Sequence, residues 1–360
     1  MSSTELYEHA REYLFRPFLH RKFKLPTRVV MAAVPRCLAD QGVPTPEMLR
    51  YYRRRAEQLV GLIITEPVAV DDPAAAADTG MPHFYGGAAL RAWKMICRSV
   101  HATGCRMMPL LSHAGMLRPV SGDMPHTEVQ PVGPSGISPV SLMRCGETMS
   151  RERIQSVAES FGKAAQIARL LGFDGVAIDG ANGGLIDQFL RRETNCRSDE
   201  YGGDIMARTR FAAQVVQTVR KCVGRQFPVV FRFSQHNDGL RVGPLVQTPH
   251  ELEEFLQIMC AAGVDVFSCD GLGAPAFSGS ALNLPGWTRM LAQRPVMAYG
   301  GIGLPGRPID SLLWQLSGQS VDLFAVGRAL LADAEWAAKV RLFRDSEILP
   351  YNLRSWSHLY

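Results

Sequence analysis

The chain has 360 residues, of which 46% are hydrophobic, and its formal net charge is +5 at pH 7. This length exceeds that of a typical small domain, but one (β/α)8 barrel can use all of it. The mild charge, without a run of five or more Lys and Arg residues, argues against nucleic acid as a partner. Eight cysteines without a CxxC pair, a polar first segment and only short apolar runs predict a cytoplasmic protein that binds no metal and enters no membrane.

Eight short apolar runs recur along the chain, with helix-length segments between them. Continuous apolar runs of this length are typical of parallel strands that are covered on both faces. The runs are 28–34, 61–70, 106–112, 173–179, 227–233, 264–270, 294–300 and 321–327. Eight such units predict a closed (β/α)8 barrel that uses residues 1–360 as a single domain, and a doubly wound open sheet is the alternative.

Three of the intervening segments carry clear helix-end signals. Segments 45–59 and 248–263 both open with Thr-Pro, which is typical of an N-cap followed by the first helical residue. Segment 150–172 opens with Ser, and segments 150–172 and 248–263 both end with Gly, which is typical of a C-cap. Segment 113–149 differs, because it is long and rich in Pro, Gly and Ser. We expect it to be an insertion after the third strand that forms a lid or a pocket wall.

Glycines follow the last two predicted strands. The sequences are "YGGIG" at 299–303 and "VGRAL" at 326–330. Loops after strands seven and eight of (β/α)8 barrels often bind phosphate, and glycine turns present backbone N–H groups to an anion. The pattern predicts a phosphate site formed by Gly300, Gly301, Gly327 and Arg328. The alternative is that the glycines only allow tight turns and that Arg328 is a surface charge.

In this pattern the chain resembles the old yellow enzyme family of FMN-dependent ene reductases. The resemblance covers nearly the whole chain in order, and its most specific parts are "DEYGG" and the glycine pair of the phosphate site. The matching segments are 14–36, 51–66, 93–104, 112–115, 133–137, 172–211, 231–234, 295–302 and 322–333. The resemblance implies a barrel that holds FMN at its carboxyl face, and NADH or NADPH as the reductant. It also implies a His-Asn pair that polarises the substrate's carbonyl and a Tyr that delivers a proton.

The active-site motif of the family is altered here. Its His-x-x-Asn-x-Tyr pattern aligns with Asp179, Asn182 and Gly184. An ionised Asp only accepts hydrogen bonds, so it would repel a developing enolate oxygen instead of stabilising it. Gly184 has no side chain where the proton-donating phenol would lie. The resemblance therefore predicts weak ordinary ene reduction.

The residues implied to contact the flavin ring are also partly changed. Pro35 replaces the usual Thr or Cys, Pro67 follows Glu66 in place of Gly or Ala, and Leu110 aligns with the family's Gln. Arg232, which would face the N1–C2=O region of the flavin, is kept. The predicted cofactor-binding residues are Ala33, Val34, Pro35, Pro67, Leu110, Arg232, Gly300, Gly301, Gly327 and Arg328.

Three interpretations of Asp179 are open. It is a proton acceptor or donor in a desaturation, an anionic anchor for an amine or iminium, or a structural residue paired with a neighbouring Arg or backbone N–H. Solvent or another side chain would then take the place of the missing Tyr. The candidates are Tyr85, His83, His113, His236 and Cys269, and Tyr85 is expected near the pocket rim. The predicted catalytic residues are Asp179, Asn182 and Tyr85.

The predicted function is that of an FMN-dependent oxidoreductase that acts on a small organic substrate in specialised metabolism. The reaction would be a desaturation, or the reduction of an iminium or an activated C=C bond. The alternative is a non-redox isomerase or cyclase, or a flavin-binding protein, that reuses the barrel pocket. A homo-oligomer is also open, because the family ranges from monomers to tetramers.

Overall fold

The computed structural model describes residues 3–21, 23–120, 124, 126, 128–237, 239–271, 275–304 and 320–356. A short antiparallel hairpin of β1 (Phe18–His20) and β2 (Phe23–Leu25) precedes the main sheet. Its Phe18, Phe23 and Leu25 pack against residues that fill the interior of the barrel. The hairpin therefore closes one end of the barrel with apolar side chains.

Eight parallel strands form a closed barrel, which confirms the predicted (β/α)8 architecture over the open-sheet alternative. These strands are β3 (Val29–Met31), β4 (Leu62–Ala69), β5 (Arg106–Ser112), β8 (Val176–Gly180), β9 (Val229–Phe233), β10 (Val266–Cys269), β11 (Val296–Tyr299) and β12 (Leu323–Val326). Each overlaps one of the eight apolar runs, and β12 pairs with β3 to close the circle. Most strand residues are buried, as expected for strands covered by helices outside and by packed side chains inside.

Helices precede, separate and follow the strands of the barrel. They are α1 (Ser3–Phe15), α2 (Pro46–Ala56), α3 (Gly87–His101), α4 (Arg151–Leu171), α5 (Leu185–Leu190), α6 (Ile205–Val223), α7 (Pro249–Ala262), α8 (Leu284–Ala292), α9 (Arg328–Ala332) and α10 (Trp336–Arg341). The predicted caps are confirmed, because the side chains of Thr45, Ser150 and Thr248 each accept a hydrogen bond from a backbone N–H of the first turn. No helix in the described part of the chain is long and apolar enough to cross a membrane.

Segment 113–149 follows β5, where the insertion was predicted. It contains a 3-10 turn (Gly115–Leu117) and the short strands β6 (Val132–Gly133) and β7 (Glu147–Thr148), which pair in parallel. Gln188 on α5 anchors the turn, since its Nε2 donates to the Ala114 carbonyl at 3.0 Å and its Oε1 accepts from the Met116 N–H at 3.1 Å. The role of this segment as a lid, and the single-domain organisation, stay predictions.

Candidate active site

A cavity of about 510 Å³ lies at the carboxyl ends of the barrel strands. Residues after β3, in β4 and at the ends of β5, β8 and β9 form its inner wall, which agrees with the usual position of active sites in this fold. The inner wall consists of Ala33, Val34, Pro35, Glu66, Pro67, Ser112, Asp179, Ala181 and Arg232. Surface segments supply the rest, namely Cys37, Ala77, Asp78, Met81, Ala114, Leu117, Asn182, Gly184, Arg328 and Trp356.

Asp179 is one of two buried carboxylates that line this cavity, with 6% of its surface exposed, and Glu66 is the other. The Oδ2 of Asp179 accepts a hydrogen bond from Ser112 Oγ at 3.4 Å, whereas Oδ1 has no hydrogen-bond partner among the described residues. Arg232 lies opposite Asp179 in the register of β8 and β9, with its Nη1 at 3.7 Å from Oδ1. Burial raises the pKa of Asp179 above its usual value, although Arg232 and the Ala181 N–H act against this shift. A carboxyl group in this setting can hold a proton nearer to neutral pH than an exposed Asp.

Arg232 lies on the ring of Tyr299. The guanidinium carbon is 4.7 Å from the ring centroid, and the Tyr299 hydroxyl donates to the Phe233 carbonyl at 3.1 Å. This contact keeps a cation at the floor of the cavity, where it is attracted by the face of the aromatic ring. Tyr299 ends β11 and is absent from the predicted set, although its position at a strand end would have justified including it.

A buried carboxylate network shapes the turn after β8. Asp187 and Arg191 form a buried ion pair on α5, with Nε and Oδ1 2.8 Å apart. The other carboxylate oxygen of Asp187 accepts hydrogen bonds from the Gly183 N–H at 2.8 Å and from the Asn237 side chain. Asn237 Oδ1 in turn accepts from the N–H of Asn182, whose φ is +55°. The network therefore holds Asn182 in a strained conformation at the cavity wall.

Glu66 plays an anchoring role. Its Oε2 accepts hydrogen bonds from the backbone N–H groups of Arg36 and Cys37, both at 2.9 Å, and the Tyr52 hydroxyl lies 3.3 Å from Oε1. Burial raises the pKa of Glu66, and these donors act to lower it. Because the carboxylate is occupied by this chain's own donors, it orients the loop after β3, which carries Pro35.

Arg328 and the glycine turns after β11 and β12 have the residue types that fit the phosphate of FMN. Arg328 lines the cavity, whereas Gly300, Gly301 and Gly327 are not among its lining residues. Arg328, at the start of α9, is exposed and lines the cavity. Gly300 has a φ of +116°, which favours glycine. The space beside its Cα is open, because the described atom nearest to the position of a Cβ is the Gly271 nitrogen at 3.9 Å. Gly301 follows it with a φ of +76°, and Gly327 lies between β12 and Arg328. Together with Arg232 at the ring end, these residues fit FMN, and their contacts with it stay predictions.

We expect Arg328→Ala to weaken FMN binding about tenfold, because a charge-assisted contact to phosphate would be lost from an exposed side chain. The dissociation constant can be measured from the quenching of FMN fluorescence on binding to the apoprotein. Arg54→Ala is a matched control, since Arg54 is an exposed arginine on α2 outside the cavity lining. Equal FMN affinity in both variants would contradict a phosphate site at Arg328.

The structure brings most predicted site residues into one cavity. Ala33, Val34, Pro35, Pro67, Asp179, Asn182, Arg232 and Arg328 all line it. Leu110 is fully buried and instead lines a small void inside the barrel, together with Arg232 and Tyr299. Tyr85 stacks on His83, with ring centroids 4.5 Å apart, and is not among the described residues of the cavity wall. Its predicted catalytic role therefore has no support from the geometry.

The other candidate proton donors also lie outside the described wall of the cavity. His113 is buried, with its Nε2 3.2 Å from Asp72 Oδ1 and its Nδ1 accepting from the Gly115 N–H at 3.0 Å. His236 is exposed, and Cys269 is buried with its sulfur 3.9 Å from Thr288 Oγ1. Trp356 and Asp78 do reach the cavity and were not predicted, because they come from surface segments that carry no strand-end pattern.

Comparison with known proteins identifies the family of the chain. A family model described as the NADH:flavin oxidoreductase / NADH oxidase family matches residues 13–347. The NADH oxidase of Thermoanaerobacter brockii is 30% identical over 336 residues, covering 89% of this chain and 49% of that protein. The 12-oxophytodienoate reductase 7 of Oryza sativa subsp. japonica is 36% identical over 228 residues, covering 59% of this chain and 56% of the relative. The chain thus spans about half the length of these curated relatives.

Solved structures share the fold. Morphinone reductase, in a complex with tetrahydroNAD, superposes with a TM-score of 0.80 at 24% identity, over 95% of this chain and 93% of that one. An old yellow enzyme homologue from Zymomonas mobilis gives the same TM-score and identity, over 95% and 96% of the two chains. The family match over nearly the whole chain confirms the resemblance found in the sequence and, with it, FMN as the cofactor of the family. The chain therefore belongs to the NADH:flavin oxidoreductase / NADH oxidase family, the family of the old yellow enzymes.

Proposed function

We propose that this protein is an FMN-dependent oxidoreductase that acts on a small organic substrate, and that Asp179 exchanges the proton that accompanies the redox step. When bound, FMN supplies the two-electron chemistry, and NADH or NADPH is the expected reductant. The observation that supports this proposal is a buried carboxylate with a raised pKa and an oxygen without a described hydrogen-bond partner, which lines the same cavity as Arg232. Perturbed carboxyl groups in a concave site are typical of acid–base catalysts.

The same cavity is poorly suited to the usual reduction of an unsaturated carbonyl. Asp179 and Ser112 form its polar centre, and the carboxylate uses Ser112 as a donor instead of leaving it for a substrate oxygen. Gly184 has no side chain of its own. Only backbone oxygens, the nearest being that of His113 at 3.4 Å, are found among the described atoms within 4 Å of the position of a Cβ, so no neighbouring side chain fills this part of the wall. A desaturation, in which Asp179 takes up the proton, fits this arrangement of acceptors better than ordinary ene reduction does. A role in specialised metabolism and a cytoplasmic location stay predictions.

The purified protein should be yellow, and NADPH or NADH should bleach it under anaerobic conditions. Flavin binding tests the cofactor, and bleaching separates a redox enzyme from an isomerase or cyclase that only reuses the pocket. The measurement is the visible absorption spectrum before and after addition of each nicotinamide, with released flavin identified after denaturation. A protein that stays colourless after incubation with FMN, or a flavin that neither nicotinamide reduces, would contradict the proposal.

A further inference from the structure

We propose that the substrate of this site is a small organic cation, with an amine and the corresponding iminium as the redox pair, held by the carboxylates of Asp179 and Asp78. The inference rests on the proposed flavin-dependent function and adds the substrate class to it. The sequence left the anionic anchor and the proton acceptor as separate interpretations of Asp179. In this inference they are two stages of one role.

The charges around the cavity support this substrate class. Five charged side chains are found among the described residues that line it: Glu66, Asp78, Asp179, Arg232 and Arg328. Glu66 is occupied by the chain's own N–H and O–H donors. The two arginines are the residues that fit the anionic parts of FMN, namely the phosphate and the N1 side of the ring. Asp179 then remains to face the substrate. Asp78, whose Oδ1 accepts a hydrogen bond from the Gly80 N–H at 2.8 Å, adds an exposed negative charge to the cavity wall, and a cation is the ligand that two such charges attract.

The hydrogen-bonding character of Asp179 leads to the same class. An unsaturated carbonyl brings an acceptor, and an ionised Asp179 would have no hydrogen to donate to it. An ammonium or protonated imine brings an N–H donor, which would satisfy the Oδ1 oxygen that has no hydrogen-bond partner among the described residues. Arg232 does not fill this role, since its Nη1 is 3.7 Å from Oδ1, beyond hydrogen-bonding distance. The exchange of the family's His for Asp thus reverses the site from a donor to an acceptor.

The rest of the wall suits the carbon skeleton of such a cation. Met81 and Leu117 line the cavity from two surface loops, and Val34 and Pro67 do so from the barrel. Trp356 adds an aromatic ring from the C-terminal segment. Arg36, in the loop after β3, contacts this segment by donating a 2.8 Å hydrogen bond to the Trp356 carbonyl. Apolar walls with a few placed charges are typical of pockets for small organic ligands.

The proton balance accounts for both altered motif positions. In the oxidation, the N–H proton of the bound ammonium moves to the Asp179 carboxylate. FMN, when bound in its oxidised form, would supply the two-electron oxidant for the C–H bond beside the nitrogen, which would be lost as hydride, and the substrate would be left with a C=N bond as the iminium. In the reverse direction Asp179 returns its proton to nitrogen. Because no carbon atom has to be protonated, the site needs no phenol at Gly184.

The test is a comparison of two ligands of the same length in the flavin-loaded protein. At neutral pH 2-phenylethylamine is a cation, whereas 2-phenylethanol is neutral. We expect the amine to bind about ten- to a hundredfold more tightly, as measured by calorimetry and by the shift of the flavin spectrum, because it donates charge-assisted hydrogen bonds to Asp179. Asp179→Asn should abolish this preference, and Asp78→Asn should reduce it several-fold.

Asp71→Asn is the matched control, because Asp71 is an exposed aspartate close to Asp78 in sequence but outside the described cavity wall, and it should keep the full preference. The visible spectrum reports the flavin content of each variant, so failure to bind FMN is distinguished from failure of the substrate assignment. Equal affinities for the two ligands in a yellow wild-type protein would overturn the inference. So would a preference that survives in both Asp179→Asn and Asp78→Asn. Asp78 is exposed, so its variant tests the inference even if Asp179→Asn does not fold.

Discussion

The double variant Asp179→His with Gly184→Tyr should reduce 2-cyclohexenone with NADPH about 10²- to 10⁴-fold faster than the wild-type protein. The new imidazole would donate to the substrate's carbonyl, and the new phenol would supply a proton from the position where the wild type has Gly184. Gly184 can accept the change, since its backbone (φ −63°, ψ 171°) is open to any residue and the nearest described atoms to a Cβ are at 3.4 and 3.6 Å. The rate of NADPH consumption under anaerobic conditions is the measurement.

The matched control is Asp179→His with Gly184→Phe, which adds the same ring without the hydroxyl group. It should gain little turnover, because the phenolic proton donor is still missing. Turnover of cyclohexenone by the wild type at the rate of the double variant would contradict our view that the altered motif disables ordinary ene reduction.

The second large effect concerns stability. Asp187→Asn should lower the free energy of unfolding by about 3–5 kcal/mol, because it leaves the buried Arg191 guanidinium without a counter-charge. Both side chains of this pair are 1% exposed, and Asp187 also holds the Gly183 N–H and the Asn237 side chain. Urea unfolding followed by circular dichroism measures the change.

Glu57→Gln is the control for this stability effect. Glu57 pairs with Arg53 at the same helical spacing, but the two side chains are 44% and 54% exposed, so its loss should cost less than about 0.5 kcal/mol. If Asp187→Asn cost as little as Glu57→Gln, the buried pair would not be what holds the turn at Asn182.

Local patterns in the sequence were sufficient to predict the architecture. The eight apolar runs became the eight barrel strands, since a strand covered on both faces must be apolar along its whole length. Thr45, Ser150 and Thr248 cap their helices, because each side-chain oxygen accepts a hydrogen bond from an unpaired backbone N–H only three residues later in the chain. Strand burial and helix capping both depend on residues that are close together in the chain, so both can be predicted from a single sequence.

The shared cavity of Asp179, Arg232 and Arg328 was also predictable, because the carboxyl ends of parallel strands meet at one face of a barrel. The contacts inside that cavity were not predictable. Tyr299 lies against Arg232, and His113 is held by Asp72, through distances that depend on packing between strands and loops. Tyr85, which the sequence favoured as a catalyst, stacks on His83 in a loop whose path no periodic pattern indicates.

The sequence by itself determined the barrel, the family and the two changes in the active-site motif, since these depend on residue types at regular positions along the chain. Only the tertiary structure decided that Asp179 is buried with an oxygen lacking a described hydrogen-bond partner, and that Asp78 and Trp356 join it at one cavity. The physical reason is that burial, desolvation and charge balance arise from residues far apart in the chain, and these quantities set the pKa of Asp179 and the substrate that it can hold.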